Sequence, residues 1–420
     1  MKVWWVTVSN VPYPSPFMFK VLHVIPSVSL IRGGPTQVVL NMVRSLREAG
    51  IEAEITATND DGPSVLDVPL GEPVNYEGVP VWFFPRYEAP TNHVSLGGDR
   101  SFLFSLPWTK WLWHNLRHYD ILDHHYLFSY GSTCAAQIAQ RQNIPYTVRT
   151  MGQLSPWALG QSQRKKQLYA WLLERSNLNH AAAIHCTSSG EAEDVRNFGV
   201  TRPTVILPLG VEPPPPLPDA QDQLRHRYSI PPDTPIILFL SRLHYKKRPE
   251  LLLETLKTLQ PDYNFHLLLA GTATEEGYLE KLQHLTHQLG LQQQVTFTGF
   301  VSGDDKALVL QGSDFFVLPS YAENFAIAVA EAMAASLPVI VTPNIQIAPD
   351  IAATEAGIVV QGEQGELAAA IAQLLSSPQQ RHKMGENGKK LVRSCYSWQA
   401  IVQQLIPIYQ NIIAPPKLSL

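Results

Sequence analysis

From residue 21 onward, short apolar runs alternate with stretches in which apolar residues recur every three or four positions. That alternation is the mark of a parallel sheet whose strands are joined by helices. In the first half it predicts strands over 21–26, 53–57, 79–85, 121–124, 145–149 and 182–186, with helices over 35–49, 107–118, 131–141 and 163–178. In the second half it predicts strands over 236–240, 265–270, 295–298, 315–318 and 338–341, and helices over 248–259, 276–289, 304–311 and 324–335. Between the halves lies a proline-rich interval, 208–235, with Pro213 to Pro216 in an unbroken run. Such a tract continues neither a helix nor a central strand, so it reads as a stiff linker and a domain boundary. At the start, the apolar run Val3 to Val8 is too short for a signal peptide and lacks a small-residue cleavage site. Residues 1–17 read as an extension ahead of Met18, and no later window holds the ~20 uninterrupted apolar residues of a membrane span.

A chain of 420 residues exceeds what one core comfortably serves, which agrees with two domains. With 45% hydrophobic and 16% charged residues it has enough apolar surface to fold, and disorder is excluded as the main state. A net charge of −4 with no long run of one sign offers no footprint for a nucleic-acid backbone. Cys134, Cys186 and Cys395 are odd in number and far apart, which suits reduced thiols in a cytosol better than a disulfide framework. Open parallel sheets bind ligands beyond the carboxyl ends of their strands, so two such domains imply a cleft, with the chemistry in strand-to-helix loops.

Three loops carry candidate chemistry. After strand 21–26, Arg32-Gly33-Gly34-Pro35 opens a helix; the glycine pair lets a phosphate approach the helix start or simply makes a tight turn. No Gly-x-Gly occurs, which removes the dinucleotide fingerprint, and no Walker A sequence is present. After strand 236–240, Arg242 and Lys247 are placed either to receive a diphosphate or to lie on a solvated basic loop. After strand 315–318, Glu323 and Glu331 are eight residues apart, with Glu323 near the helix start and Glu331 two turns, roughly 10–12 Å, further on. Neighbours of Glu331 are small and apolar, which argues against an idle solvated carboxylate. No Asp-x-Asp occurs, and His124 and His125 are adjacent on a strand and point to opposite faces, so no metal site is expected.

These loops together resemble the retaining, GT-B-fold glycosyltransferases of the group 1 family, which includes glycogen synthases and sucrose-phosphate synthases. The resemblance covers the chain from Met18 to its end and is carried by Ser320-x2-Glu323-Asn324-Phe325-x5-Glu331-Ala332-Met333, Arg242, Lys247, the Gly33-Gly34 loop and Asp120-Ile121-Leu122-Asp123-His124-His125. It implies an α/β fold of two Rossmann-like, doubly wound domains facing across a cleft. The acceptor domain would span 18–207 and the nucleotide-sugar domain 236–395, with 396–420 a helix and tail packing back on the first. It further implies that Glu323, with the amides of Asn324, Phe325 and Ala326, holds sugar hydroxyls, that Glu331 binds the ribose, and that His125 faces the transferred sugar. Arg242 and Lys247 would serve the diphosphate. The chain departs from the family at Ser241 and Ala326, where glycines are usual, at Leu209, where an Asn is usual, and at Asp123, where a histidine is usual.

The expected activity is metal-independent transfer of a hexose from a nucleotide-diphosphate sugar, UDP-hexose before GDP-mannose, to a glycan or lipid-linked saccharide. The donor is a substrate, and no cofactor is expected. Alternatives are a sugar-nucleotide 2-epimerase of the same fold and a non-catalytic nucleotide-sugar-binding protein. The stretch Arg149 to Leu159, followed by Arg164-Lys165-Lys166, resembles an acceptor-facing loop in exopolysaccharide-type members, with Arg149 on a phosphate; a structural role is the alternative. Trp108, Trp111, Leu112 and Leu116 share a helix face that either packs on the sheet or docks on a membrane. The expected location is the cytoplasm, with the inner face of a membrane as the peripheral alternative.

Overall fold

The computed structural model describes residues 19–32, 34–87, 103–160, 173–273 and 275–414. Residues 1–17, Met18, Gly33 and Arg164-Lys165-Lys166 lie outside the described residues. The chain divides into two compact units, one formed by the chain up to Gly210 and from Trp398 onward, the other by Val211–Ser397.

The first unit contains β1 (Lys20–Ser27), β2 (Glu52–Thr58), the short hairpin β3 (Asp60–Asp61) and β4 (Ser64–Val65), β5 (Pro73–Tyr76), β6 (Val79–Phe84), β7 (Ile121–His125), β8 (Tyr146–Arg149), β9 (Ala183–Cys186) and β10 (Thr204–Ile206). Eight of these form one sheet in the order β10-β9-β8-β7-β1-β2-β6-β5, parallel except where β5 runs against β6. Helix Gly34–Glu48 buries Val39, Met42, Val43 and Leu46, the stripe that a 3.6-residue period places on one face. The last helix, Trp398–Ile413, belongs to this unit and packs on Gly34–Glu48.

The second unit holds β11 (Ile236–Leu240), β12 (His266–Ala270), β13 (Val295–Gly299), β14 (Phe315–Leu318), β15 (Val339–Val341) and β16 (Gly357–Val359) in the order β13-β12-β11-β14-β15-β16, all parallel. β11, β12 and β14 are buried along their whole length, which is why they read as continuous apolar runs rather than alternating ones.

Several elements differ from the sequence reading. The interval 208–235 is not linker throughout, because helix Ala220–Tyr228 lies within it and buries only Ala220 and Leu224. So narrow a stripe beside a proline run leaves almost no periodic signal. Helix Ser189–Asn197 also escapes the pattern, although Ser188 caps it by accepting from the Glu191 N–H, the serine-to-glutamate spacing of a capping box. The face bearing Trp108, Leu112 and Leu116 is buried, and the Trp108 Nε1–H donates to Thr56 Oγ1 at 2.7 Å. That face is therefore core, and the membrane-docking alternative for it is withdrawn. Among the described residues no helix is long and apolar enough to cross a membrane.

Candidate active site

In the second unit β11 and β14 are neighbours, yet the chain leaves β11 toward β12 on one side and β14 toward β15 on the other. Loops that leave in opposite directions open a crevice at the carboxyl ends of their strands, the switch point at which doubly wound sheets bind ligands. Arg242 and Lys247 follow β11, and Glu323 follows β14, so the sheet order brings them to one place. The two loops are stitched by the Tyr321 N–H, which donates to the Lys246 carbonyl at 2.9 Å. The Arg248 guanidinium also lies over the Tyr321 ring, 4.6 Å from its centre.

Lys247 and Glu323 form a largely buried ion pair. Burial lowers the Lys247 pKa, the Glu323 carboxylate opposes that, and Arg242 adds to the lowering. Arg242 itself is exposed and has no hydrogen bond or ion pair among the described residues. Helix Ile327–Ala334 starts later than the pattern suggested, so Glu323 sits in the loop before it. A short bridge to Ile345 holds Glu323 there: its N–H donates to the Asn344 carbonyl at 3.1 Å, and its own carbonyl accepts from the Gln346 N–H at 3.2 Å. Glu331 falls only one turn into the helix, which replaces the spacing of two turns along a single helix. Its carboxylate pairs with Lys306, 2.5 Å away on helix Gly303–Gly312.

Phe325 is buried edge-on against the Tyr396 ring, with centres 5.4 Å apart, so its backbone rather than its ring is the part a ligand could meet. Asn324 is partly buried, and Ala326 caps the helix in a left-handed conformation at φ +57°. Two residues of this crevice went unnoticed in the sequence. Lys306 gave no signal, because nothing local ties it to Glu331 on another helix. Gly271 was legible only as a lone glycine after a strand; a Cβ there would collide with the Ser241 carbonyl, and its φ of +143° excludes most side chains.

In the first unit β1 and β7 stand in the same relation, with the chain leaving β1 toward β2 and β7 toward β8. Gly34 opens helix Gly34–Glu48, and the loop before it is fastened by Arg32, whose Nε and Nη2 donate to Asp60 Oδ2 at 2.9 and 2.6 Å. Along β7 the side chains alternate: His124 faces the Ser132 carbonyl on one side of the sheet, while Asp123 and His125 face the other. There the strands assemble a buried polar cluster with His23 from β1, Thr147 and Arg149 from β8, His185 from β9 and Tyr409 from the last helix.

Asp123 is the centre of that cluster. Its Oδ2 accepts from Arg149 Nε at 2.8 Å and from the Tyr409 hydroxyl at 2.5 Å, and its Oδ1 accepts from the Thr147 hydroxyl at 3.0 Å. Burial alone would raise the Asp123 pKa, but the Arg149 charge and the surrounding imidazoles hold it well below the usual carboxylate range. His23 Nδ1 meets His125 Nε2 at 3.0 Å, and burial keeps both rings neutral, with His23 pushed down to about 4 and His125 well below its ordinary value. One ligand atom each of His23, Asp123 and His125 lies within 4.8 Å of the others, a grouping that the sequence reading did not foresee. A divalent ion there would face the Arg149 guanidinium across a carboxylate already holding three donors, so the cluster's charge is balanced by Arg149. Arg149 and His125 are thus brought together under full burial. The loop after Arg149 is pinned from within, since the Thr150 hydroxyl and Gly152 N–H donate to buried Glu191.

Residues 220–391 match the family model for glycosyl transferases group 1, and residues 33–210 match that of a glycosyl transferase 4-like domain. The chain belongs to the group 1 glycosyltransferases, which transfer a sugar from a nucleotide-sugar donor. It is 25% identical over 400 residues to the D-inositol 3-phosphate glycosyltransferase of Corynebacterium glutamicum, covering 91% of this chain and 92% of that one. An uncharacterized glycosyltransferase of Methanocaldococcus jannaschii is 33% identical over 187 residues, 44% of this chain and 47% of its own length. Among solved structures, sucrose-phosphate synthase of Thermosynechococcus elongatus superposes with a TM-score of 0.72 at 19% identity, over 94% of this chain and 99% of that one. HepE of Anabaena, solved with UDP and glucose, gives 0.71 at 19% identity over 94% of this chain and 100% of that one. The fold is GT-B.

Proposed function

We propose that this glycosyltransferase moves a hexose from a UDP-sugar, with retention at the anomeric carbon and without a metal ion, to a saccharide or lipid-linked saccharide. The observation that carries the reading is the Lys247–Glu323 ion pair at the β11/β14 switch point. It sets a cation and a carboxylate side by side where a diphosphate and its sugar would meet. On donor binding the pair exchanges partners: Lys247 turns to the diphosphate and Glu323 to the sugar hydroxyls, so each charge stays satisfied. Exposed Arg242 supplies the second positive group. Negative charge grows on the leaving diphosphate as the glycosidic bond breaks, and cations fixed in a partly dry crevice stabilise it most at that moment.

Glu331 is assigned to the ribose, with Lys306 holding its carboxylate in place, and the amides of Asn324 to Ala326 are assigned to the sugar. Gly33 and Gly34 are assigned to the phosphate side of the first unit, and Arg149 is assigned to organising Asp123 rather than to touching an acceptor. His125 is assigned to the transferred sugar; since its ring is fully covered, contact requires the groups over it to move on binding. The HepE structure solved with UDP-glucose supports the choice of donor base, and the D-inositol 3-phosphate relatives make a phosphorylated polyol the first alternative acceptor.

The test is steady-state kinetics with UDP-, GDP- and ADP-sugars, in the presence of chelator. Lys247→Ala should lower kcat by on the order of 10²-fold or more with a smaller change in donor affinity. Near-normal kcat in a folded Lys247→Ala variant would remove the leaving-group assignment, and turnover that needs added Mg²⁺ or Mn²⁺ would remove the metal-independent one.

A further inference from the structure

We propose that His23 is a positioning residue for His125, fixed by Asp123 in the tautomer that donates from Nδ1, so that His125 accepts at Nε2 and keeps its own proton on Nδ1. The inference rests on the reading that His125 serves the transferred sugar. Its basis is the geometry of one buried chain of groups. His23 Nδ1 lies 3.0 Å from His125 Nε2 and 3.8 Å from Asp123 Oδ2. A bare Nδ1 lone pair on His23 would face the carboxylate and be repelled by it, whereas an Nδ1–H is attracted. With the proton on His23 Nδ1, the only acceptor within hydrogen-bond distance among the described residues is His125 Nε2, which must then be bare. Because His125 is neutral, its proton resides on Nδ1.

That His125 Nδ1 is buried and has no partner among the described residues, an arrangement that costs stability unless a ligand uses it. His23 Nε2 is likewise buried and without a partner among the described residues, which fits a bare nitrogen better than a donor. Thr147, Arg149 and Tyr409 hold both oxygens of Asp123, so it acts on His23 by its charge across 3.8 Å rather than by a hydrogen bond. The other ionisable groups around the pair are His124 behind the strand, Arg149 on β8 and His185 on β9; all three imidazoles of β1, β7 and β9 nearest to Arg149 are held neutral by burial. Asp123 therefore acts through His23, and His125 is delivered as a fixed donor rather than as a base.

Histidine-selective ¹⁵N labelling of the full chain reads the tautomers directly, with resonances assigned from His23→Asn and His125→Asn variants. The expected result is Nδ1–H on both rings; an Nε2–H on His125 overturns the inference. Kinetics supply a second readout. His23→Phe should lower kcat by on the order of 10-fold with donor KM unchanged, less than the cost of removing a group that touches the reacting atoms. His23→Asn, whose amide can still donate to Nε2, should recover most of that loss. Wild-type kcat in a folded His23→Phe variant, or no difference between the Phe and Asn variants, overturns the positioning role. His125→Ala separates the two layers: unchanged turnover there would show that the assignment of His125 itself fails, and the role of His23 with it, whatever tautomers the spectra report.

Discussion

Ala326 holds its backbone at φ +57°, a region where a Cβ crowds the following carbonyl and where glycine is at ease. In the sequence it stands out as an alanine in a place where the family uses glycine, but only the structure gives the reason for that preference. Ala326→Gly should raise unfolding stability by about 0.5–1 kcal/mol, the relieved strain less the added freedom of the unfolded chain, as read from urea midpoints. A lower midpoint would mean that the methyl group packs well enough to outweigh the strain. At Glu331 the effect is on ligand affinity. Glu331→Ala should weaken nucleotide binding by about 1.5–3 kcal/mol, as expected for hydrogen bonds to a charged acceptor, and calorimetry with UDP measures it. Unchanged affinity would move the ribose elsewhere.

Helix Leu106–Asn115 and helix Tyr130–Gln142 approach closely because Gly131 leaves room for the Trp108 ring; a Cβ on Gly131 would collide with it. Gly131→Ala should therefore destabilise by about 1–3 kcal/mol. Combined with Trp108→Phe, it should cost less than the sum of the two single changes, because the smaller ring vacates the space the methyl needs. Strict additivity in chemical denaturation would show that the ring moves aside freely. This scale is also where the sequence was most readable. Fully buried strands such as Ile236–Leu240 and helices with a broad apolar stripe such as Gly34–Glu48 announce themselves by period alone. Helix Ala220–Tyr228 does not, having two buried residues. The crevice was legible for the same reason: Lys247 and Glu323 sit at strand ends, and strand ends can be located by pattern. Partnerships made across the sheet were not, since neither His23 with His125 nor Lys306 with Glu331 has a local spacing to betray it.

At the scale of the whole molecule, buried neutral imidazoles make stability depend on pH. Burial pushes His23 and His124 down to about 4 and His185 down to about 3, against an unfolded value near 6.5. The unfolded chain thus takes up protons first as pH falls, so stability is greatest above 6.5 and is lost between 6.5 and 4, by at most about 1.4 kcal/mol per pH unit for each ring. Glu174 works the other way, since burial raises it to about 7 and its contribution fades as pH rises from 4.5 to 7. With His125, also held well below its ordinary value, and His266, pushed down to about 4, five rings stand against this carboxyl and leave a net loss on acidification. Calorimetric Tm should fall steadily from pH 6.5 to 5; a flat or rising Tm would mean that these histidines are charged in the fold. The last helix adds a consequence for biosynthesis. Val211–Ser397 is a continuous segment, whereas the first unit needs Trp398–Ile413 to cover Phe19 and to give Asp123 its Tyr409 donor. A ribosome delivers Tyr409 after everything it must join, so the portion made first is finished last, and the nascent chain carries an uncovered sheet face through most of translation. A premature stop a few codons before Tyr409 would strand that face permanently, and such a product should be cleared by proteases even though most of the enzyme had been made.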